Sequence, residues 1–164
     1  MTTIPTHINR VAVVTGAGRG IGAAIAIGLA SRGAKVVVAD LTFPSATITL
    51  IGKNAVGVIA DVSTPEGWEQ IAKVAADSFG DVDIVVNNAA YYPNHMIDDL
   101  DFETWQRTMT INIGSHFLSA KQFVPSMRQK KWGRFVGISS NSIGLTVKGM
   151  SHYMASKMGI MGFM

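Results

Sequence analysis

Five short runs of small and β-branched apolar residues alternate with longer stretches of helical character, and this alternation restricts the chain more than any other feature. Residues 11–15, 35–40, 55–60, 83–86 and 134–139 read as strands, apolar on both faces and therefore covered on both sides. Residues 20 to about 31 form an Ala- and Ile-rich helix closed by Gly33. Ser63-Thr64-Pro65-Glu66 opens another, with a capping residue and a proline in its first turn. That helix places Trp68, Ile71, Val74 and Ala75 on one face and stops at Gly80. A long helical stretch spans 102–130, broken near Pro125, and a last helix starts near Tyr153 and runs to the end of the sequence. Between them, Pro44 and Ser45 can open a short helix within 42–54, but Thr47, Ile48 and Thr49 oppose it. Strand following helix in this way implies right-handed crossovers and an α/β fold, a doubly wound parallel sheet forming one domain over residues 1–164.

Composition narrows the function classes. With 48% apolar residues, 15% charged residues and a net charge of +3, the 164-residue chain can bury a sizeable core and is not disordered. Basic residues are scattered apart from Lys130 and Lys131, which argues against a nucleic-acid partner. The chain contains no cysteine, so disulfides, thiolate metal sites and thiol catalysis are excluded. Residues 1–10 are polar with no apolar leader core, and no apolar run approaches a membrane span, so a cytoplasmic protein without membrane or metal is expected.

In a doubly wound sheet, ligands bind beyond the carboxyl ends of the strands. Thr15-Gly16-Ala17-Gly18-Arg19-Gly20-Ile21-Gly22 joins the first strand to a helix there. Glycines let the backbone approach a pyrophosphate, and the helix start offers free N–H groups and a positive dipole end. Asp40 ends the second strand, 18 residues beyond Gly22, where a carboxylate can accept from adenosine ribose hydroxyls and repel a 2′-phosphate. Arg19 pulls the other way, since a guanidinium can hold that phosphate; the balance favours NAD over NADP. Asp61 and Asn88, at the ends of the third and fourth strands, serve equally well as cofactor contacts or as caps of the next helix.

Ser140, Tyr153 and Lys157 form a second group. Tyr153 and Lys157 are four apart on one helix face, so an ammonium lies within a turn of a phenol and stabilises its ionised form. A tyrosine so placed can exchange a proton with an alcohol or carbonyl oxygen. Ser139 and Ser140 point to opposite sides of their strand, and the spacing to Tyr153 favours Ser140. His95 and His152 read as incidental, and Met150, Met154, Met158 and Met161 as a stripe belonging to a core or a subunit interface. Tyr91 and Tyr92 stand where a substrate entrance would be lined.

Together these motifs resemble the short-chain dehydrogenase/reductase family: Thr15-Gly16-x-x-x-Gly20-x-Gly22, then Asn87-Asn88-Ala89 with Ala90 where the family has glycine, then Asn112, Ser140 and Tyr153-x-x-x-Lys157. The resemblance implies a Rossmann fold and an NAD-dependent oxidoreductase that moves a hydride between a secondary alcohol or ketone and the cofactor. It makes Tyr153 the acid/base, Lys157 its electrostatic partner and a ligand of the nicotinamide ribose, and Ser140 the group that orients the substrate oxygen. It gives Asn112 a water in a proton relay reaching Lys157. Cofactor contacts would come from Gly16, Arg19, Gly20, Ile21, Gly22, Asp40, Asp61, Val62, Asn88, Ala89, Tyr153 and Lys157. It also implies a homo-oligomer, dimer or tetramer, paired through the long helix and the one holding Tyr153.

The family's chain continues for two more strands and a mobile segment over the substrate, so the 164 residues are expected to be a fragment with a bare sheet edge, weakly stable and inactive alone. A non-catalytic NAD-binding module is the alternative. A methyltransferase would share the glycine turn and the acidic residue, but gives no reason for Tyr153 and Lys157.

Overall fold

The computed structural model describes residues 6–164, so the polar stretch at 1–10 lies partly outside the described residues. Five parallel strands form one sheet: β1 (Val11–Thr15), β2 (Lys35–Asp40), β3 (Ala55–Ile59), β4 (Ile84–Asn87) and β5 (Arg134–Gly137). Their order is β3-β2-β1-β4-β5, with Val13 opposite both Val37 and Val85. From β1 the chain first winds outward through β2 to β3, then returns to lay β4 and β5 on the other side, which opens a crevice above the β1–β4 pair.

The inner strands β1, β2 and β4 are apolar on both faces because both faces are covered, while edge strands β3 and β5 leave Ile59 and Val136 exposed. Alternate residues supply two separate cores. Val11, Val13, Val37 and Val85 pack with Trp68, Ile71 and Ala75 of α3 (Pro65–Ser78) and with Phe123 and Met127 of α5 (Ser115–Gln129). Ala12, Val14, Val36, Val38 and Val86 pack with Ala26 of α1 (Gly20–Ser31) and with Ile48 and Ile51 of α2 (Ser45–Ile51). At the end opposite the crevice, the buried Asp83 carboxylate accepts from the Val11 N–H at 3.1 Å and the Lys130 ammonium at 2.9 Å, tying β1, β4 and the end of α5 together.

The helix at residues 42–54 forms despite its β-branched residues. Buried Thr47 donates its hydroxyl to the Ala17 carbonyl at 2.9 Å, and Ile48 and Ile51 complete the second core, so tertiary contacts outweigh propensity. As expected, α3 starts with Thr64 as its cap, accepting from the Gly67 N–H at 3.1 Å, and Pro65 as its first residue.

The long helix breaks elsewhere than expected. Pro125 sits inside α5, which runs on because Phe123 and Met127 anchor it in the first core on either side of the missing N–H. The irregularity lies earlier, where α4 (Phe102–Met109) passes into α5 through a π-helical turn, Thr110–Gly114, containing Asn112. The last helix, α6 (Ser151–Phe163), begins two residues before Tyr153. The methionine stripe is not core: Met158 and Met161 are 55% and 59% exposed, while Met150 faces the crevice.

Trp68 is the largest side chain in the first core, packed edge-on to Phe123 at 6.2 Å between ring centres and donating its Nε1 proton to the Val62 carbonyl at 2.9 Å. Trp68→Ala is expected to lower the stability of the chain by about 3–5 kcal/mol, measured by urea unfolding.

Candidate active site

The crevice is a cleft of about 910 Å³ at the carboxyl ends of the strands. It collects Gly16, Arg19, Gly20, Ile21 and Gly22 from the glycine turn, Asp40 at the end of β2, Asp61 and Val62 after β3, Asn88 and Ala89 after β4, and Ser140, Tyr153 and Lys157. Of the residues expected at the site, Asn112 alone does not line the cleft.

At one end the glycine turn is held from three sides. The Asn88 side-chain amide donates to the Thr15 and Gly16 carbonyls at 2.9 and 3.1 Å. One Asp40 carboxylate oxygen accepts from the Gly18 N–H at 2.8 Å and the other from the Leu41 N–H at 2.8 Å. Thr47 holds the Ala17 and Gly18 carbonyls from behind. Gly22 cannot be larger, because a Cβ there would run into the Gly16 carbonyl oxygen. Arg19, at the cap of α1, supplies no side-chain hydrogen bond to the first turn. The N–H groups at the start of α1 therefore remain available to an anion, and around Gly20 nothing lies within 4 Å of where a side chain would begin. This end of the cleft fits a pyrophosphate and the ribose beside Asp40.

Asp61 does not cap the next helix, a place taken by Thr64. Asp61 lines the cleft, and its carboxylate accepts from the Ser63 N–H and hydroxyl at 2.9 and 2.6 Å in the turn that leads into α3. Asn88 likewise caps no helix: it lines the cleft with its amide spent on the glycine turn, and Asp101 caps α4.

At the other end, Lys157 is 2% exposed, and its ammonium donates to the Ile138 carbonyl at 2.6 Å and lies 5.6 Å from the centre of the Tyr153 ring. Burial pushes its pKa down to about 8. Below this end lies His116, 1% exposed, whose ring fills the space where a Cβ on Gly137 would stand. Burial, and then the Lys157 charge, push His116 down to about 4, so it is neutral at ordinary pH. Its Nδ1 has no hydrogen-bond partner among the described residues. Ser140 opens the short helical turn Asn141–Gly144, its hydroxyl 2.8 Å from that of Ser142, while Ser139 also lines the cleft and donates to the Lys157 carbonyl at 3.1 Å.

Asn112 is fully buried. Its side chain accepts from the Tyr91 N–H at 2.7 Å and donates to the Tyr91 carbonyl at 2.9 Å and to the Ser156 hydroxyl at 2.9 Å. Ser156 in turn donates to the Tyr153 carbonyl at 2.7 Å. The cleft also includes Arg107 and Ile111, which sequence reading passed over. Their four-residue spacing on one helix face was the available signal. The Arg107 guanidinium stacks 4.7 Å from the centre of the Tyr91 ring.

Two pH effects arise from the buried bases. His116 holds a proton in the unfolded chain below about 6.5 but in the folded chain only below about 4. The stability it supports is complete above 6.5 and is lost as pH falls toward 4. Calorimetric melting should therefore show wild type losing several degrees more than His116→Leu between those values. Lys157 loses its proton near 8 when folded and near 10.5 when unfolded, so wild type should gain stability relative to Lys157→Met as pH rises through that window.

Known proteins are similar to this chain in sequence and fold. The family model described as short chain dehydrogenase matches residues 10–164. The chain is 37% identical over 157 residues to the 3-oxoacyl-acyl-carrier-protein reductase FabG of Vibrio cholerae, covering 94% of this chain and 64% of that protein. It is 35% identical over 162 residues to a D-beta-hydroxybutyrate dehydrogenase of Rhizobium meliloti, covering 94% of this chain and 63% of that protein. A crystal structure from Sinorhizobium meliloti assigned as a short-chain alcohol dehydrogenase superposes with a TM-score of 0.89 at 33% identity, covering 95% of this chain and 64% of that one. The chain thus spans just under two thirds of the length of these relatives.

Proposed function

The chain belongs to the short-chain dehydrogenase family, and from that premise we propose that it acts as an NAD-dependent oxidoreductase on a secondary alcohol or ketone, with Tyr153 as the acid/base. The observation that carries this reading is that Ser140, Tyr153 and Lys157 share one cleft with the glycine turn and Asp40. Relatives named for a 3-oxoacyl group and for D-beta-hydroxybutyrate support a substrate with a ketone or secondary hydroxyl at the reacting carbon.

When bound, the nicotinamide cofactor supplies the hydride acceptor for alcohol oxidation and the donor for ketone reduction. Gly16, Arg19, Gly20, Ile21 and Gly22 would hold its pyrophosphate, Asp40 its adenosine ribose, Asp61 and Val62 the adenine side, and Asn88, Ala89, Tyr153 and Lys157 the nicotinamide half. Tyr153 takes the hydroxyl proton in oxidation and returns one in reduction, while the Lys157 ammonium stabilises the phenolate. Ser140 orients the substrate oxygen. Asn112 acts through what it holds, the Tyr91 backbone and, by way of Ser156, the helix of Tyr153. With its side chain turned to those groups, a water relay to Lys157 is left to its main-chain carbonyl.

NAD is favoured because the Asp40 carboxylate is held against the glycine turn, where a 2′-phosphate would bring a second negative charge. Arg19 lines the same cleft but makes no ion pair with Asp40 among the described residues. The enzyme would act in the cytoplasm as a homo-oligomer. Among the described residues no helix is long and apolar enough to cross a membrane, and Phe117 on α5 with Met158 and Met161 on α6 leave exposed apolar surface for a second copy.

NADH formation followed at 340 nm with a panel of secondary alcohols tests the reaction. Tyr153→Phe should lower kcat by about 10²–10⁴-fold while calorimetry still detects NADH binding, which the glycine turn and Asp40 retain. NADH should bind at least about tenfold more tightly than NADPH, and Asp40→Ala should narrow that gap. NADH binding without turnover of any alcohol or ketone would instead establish a non-catalytic NAD-binding module.

A further inference from the structure

Tyr153 projects from the first turn of α6, and that turn lacks the usual local support. Met150, just before the helix, makes no side-chain cap hydrogen bond. Within α6 the Ser156 hydroxyl bonds the Tyr153 carbonyl, but no capping side chain holds the start of the helix against fraying.

The restraint comes from residues 91–95, which cross beside the start of α6 and are engaged one after another. Tyr91 is clamped through both its N–H and its carbonyl by Asn112. The Tyr92 ring lies edge-on to the Tyr153 ring, 6.1 Å between centres. The Pro93 carbonyl accepts from His152 Nε2 at 3.0 Å. The Asn94 amide donates to the Lys148 carbonyl at 3.1 Å, and the His95 N–H donates to the Gly149 carbonyl at 3.0 Å. Gly149 has a φ of +73°, and a Cβ there would run into the Asn94 side chain, so the close approach of the two segments depends on glycine at this point.

His152 is the member of this contact set that hydrogen-bonds to the segment from α6. It is fully buried, sits beside Tyr153 in sequence, and stacks edge-on with His95 at 6.5 Å between ring centres. A carbonyl can only accept, so the proton is on Nε2, and Nδ1 is left without a partner among the described residues. The ring thus has one directional bond, and that bond runs to the strap that carries Tyr92.

We propose that His152 is a positioning residue for Tyr153: its bond to Pro93 locks the first turn of α6 to residues 91–95, and the strap holds the Tyr92 ring against Tyr153. The inference rests on the reading of Tyr153 as the acid/base, but one of its readouts does not need turnover.

The test uses the full chain with ring-labelled tyrosine and three variants. His152→Phe keeps a flat ring but removes the donor. His152→Gln restores a donor near the Nε2 position. Asn94→Ala releases the strap from Lys148 without touching α6. Wild type and His152→Gln should show a nuclear Overhauser contact between the Tyr92 and Tyr153 rings, assigned with Tyr92→Phe. His152→Phe should lose that contact, and its kcat should fall by about 10–10²-fold with KM for NAD unchanged and with most of the loss recovered in His152→Gln. An intact ring contact and undiminished kcat in His152→Phe would overturn the proposal. If His152→Phe does not fold, Asn94→Ala takes its place: weakening of the ring contact supports the strap, and wild-type behaviour overturns it. If wild type turns over no alcohol or ketone while the ring contact shows the expected pattern, the strap stands and the functional reading falls.

Discussion

Everything at the cleft depends on the seam between β1 and β4. Both strands are buried on both faces, so their backbone groups have no solvent to turn to and must satisfy one another across the sheet. Beyond Thr15 the two chains part, and the seam is continued by side chains. Asn88 donates to the Thr15 and Gly16 carbonyls, and the Thr15 hydroxyl accepts from the Asn88 and Ala89 N–H groups at 3.1 Å. That short network leaves the start of α1 facing the cleft with unspent donors. The open glycine turn is thus the end product of how a parallel sheet closes its own hydrogen bonds.

The opposite end of the cleft works by desolvation. Lys157 is nearly excluded from water, with a single main-chain carbonyl as its partner among the described residues, and the buried base that feels its charge, His116, is kept neutral. A cation held this way is felt strongly by any group brought beside it, because little water remains to screen it. The cost is a charge that the fold holds less easily than water does, which is why its proton is lost near pH 8.

Asn112 joins these two ends to the helices. The π-helical turn carrying it opens the helix where its amide meets the Tyr91 backbone and Ser156. One side chain thereby sets the height of the residue 91–95 segment and of α6 relative to each other. Expecting the break at Pro125 was reasonable from local chemistry, since proline removes a helical hydrogen bond. It failed because Phe123 and Met127 are fixed in the core on either side.

Strand periodicity, the helix start at Thr64-Pro65 and the glycine turn are local signals, so the doubly wound sheet and most of the cleft were legible in the residues alone. The same holds for Tyr153 and Lys157, whose shared face comes from helical spacing. Strand ends shifted by one or two residues, as at 134–139, which pairs only as far as Gly137. Long-range contacts were another matter. Nothing local distinguishes His152 from an incidental histidine, ties Thr47 to the Ala17 carbonyl, or turns the Asn112 side chain toward Tyr91, because each partner lies 21 to 59 positions away along the chain. Local periodicity encodes which faces are apolar and hence the layers of the fold. Which polar groups meet above the sheet is decided by the packing of those layers, which brings distant donors and acceptors within 3 Å of each other and leaves them no water to choose instead.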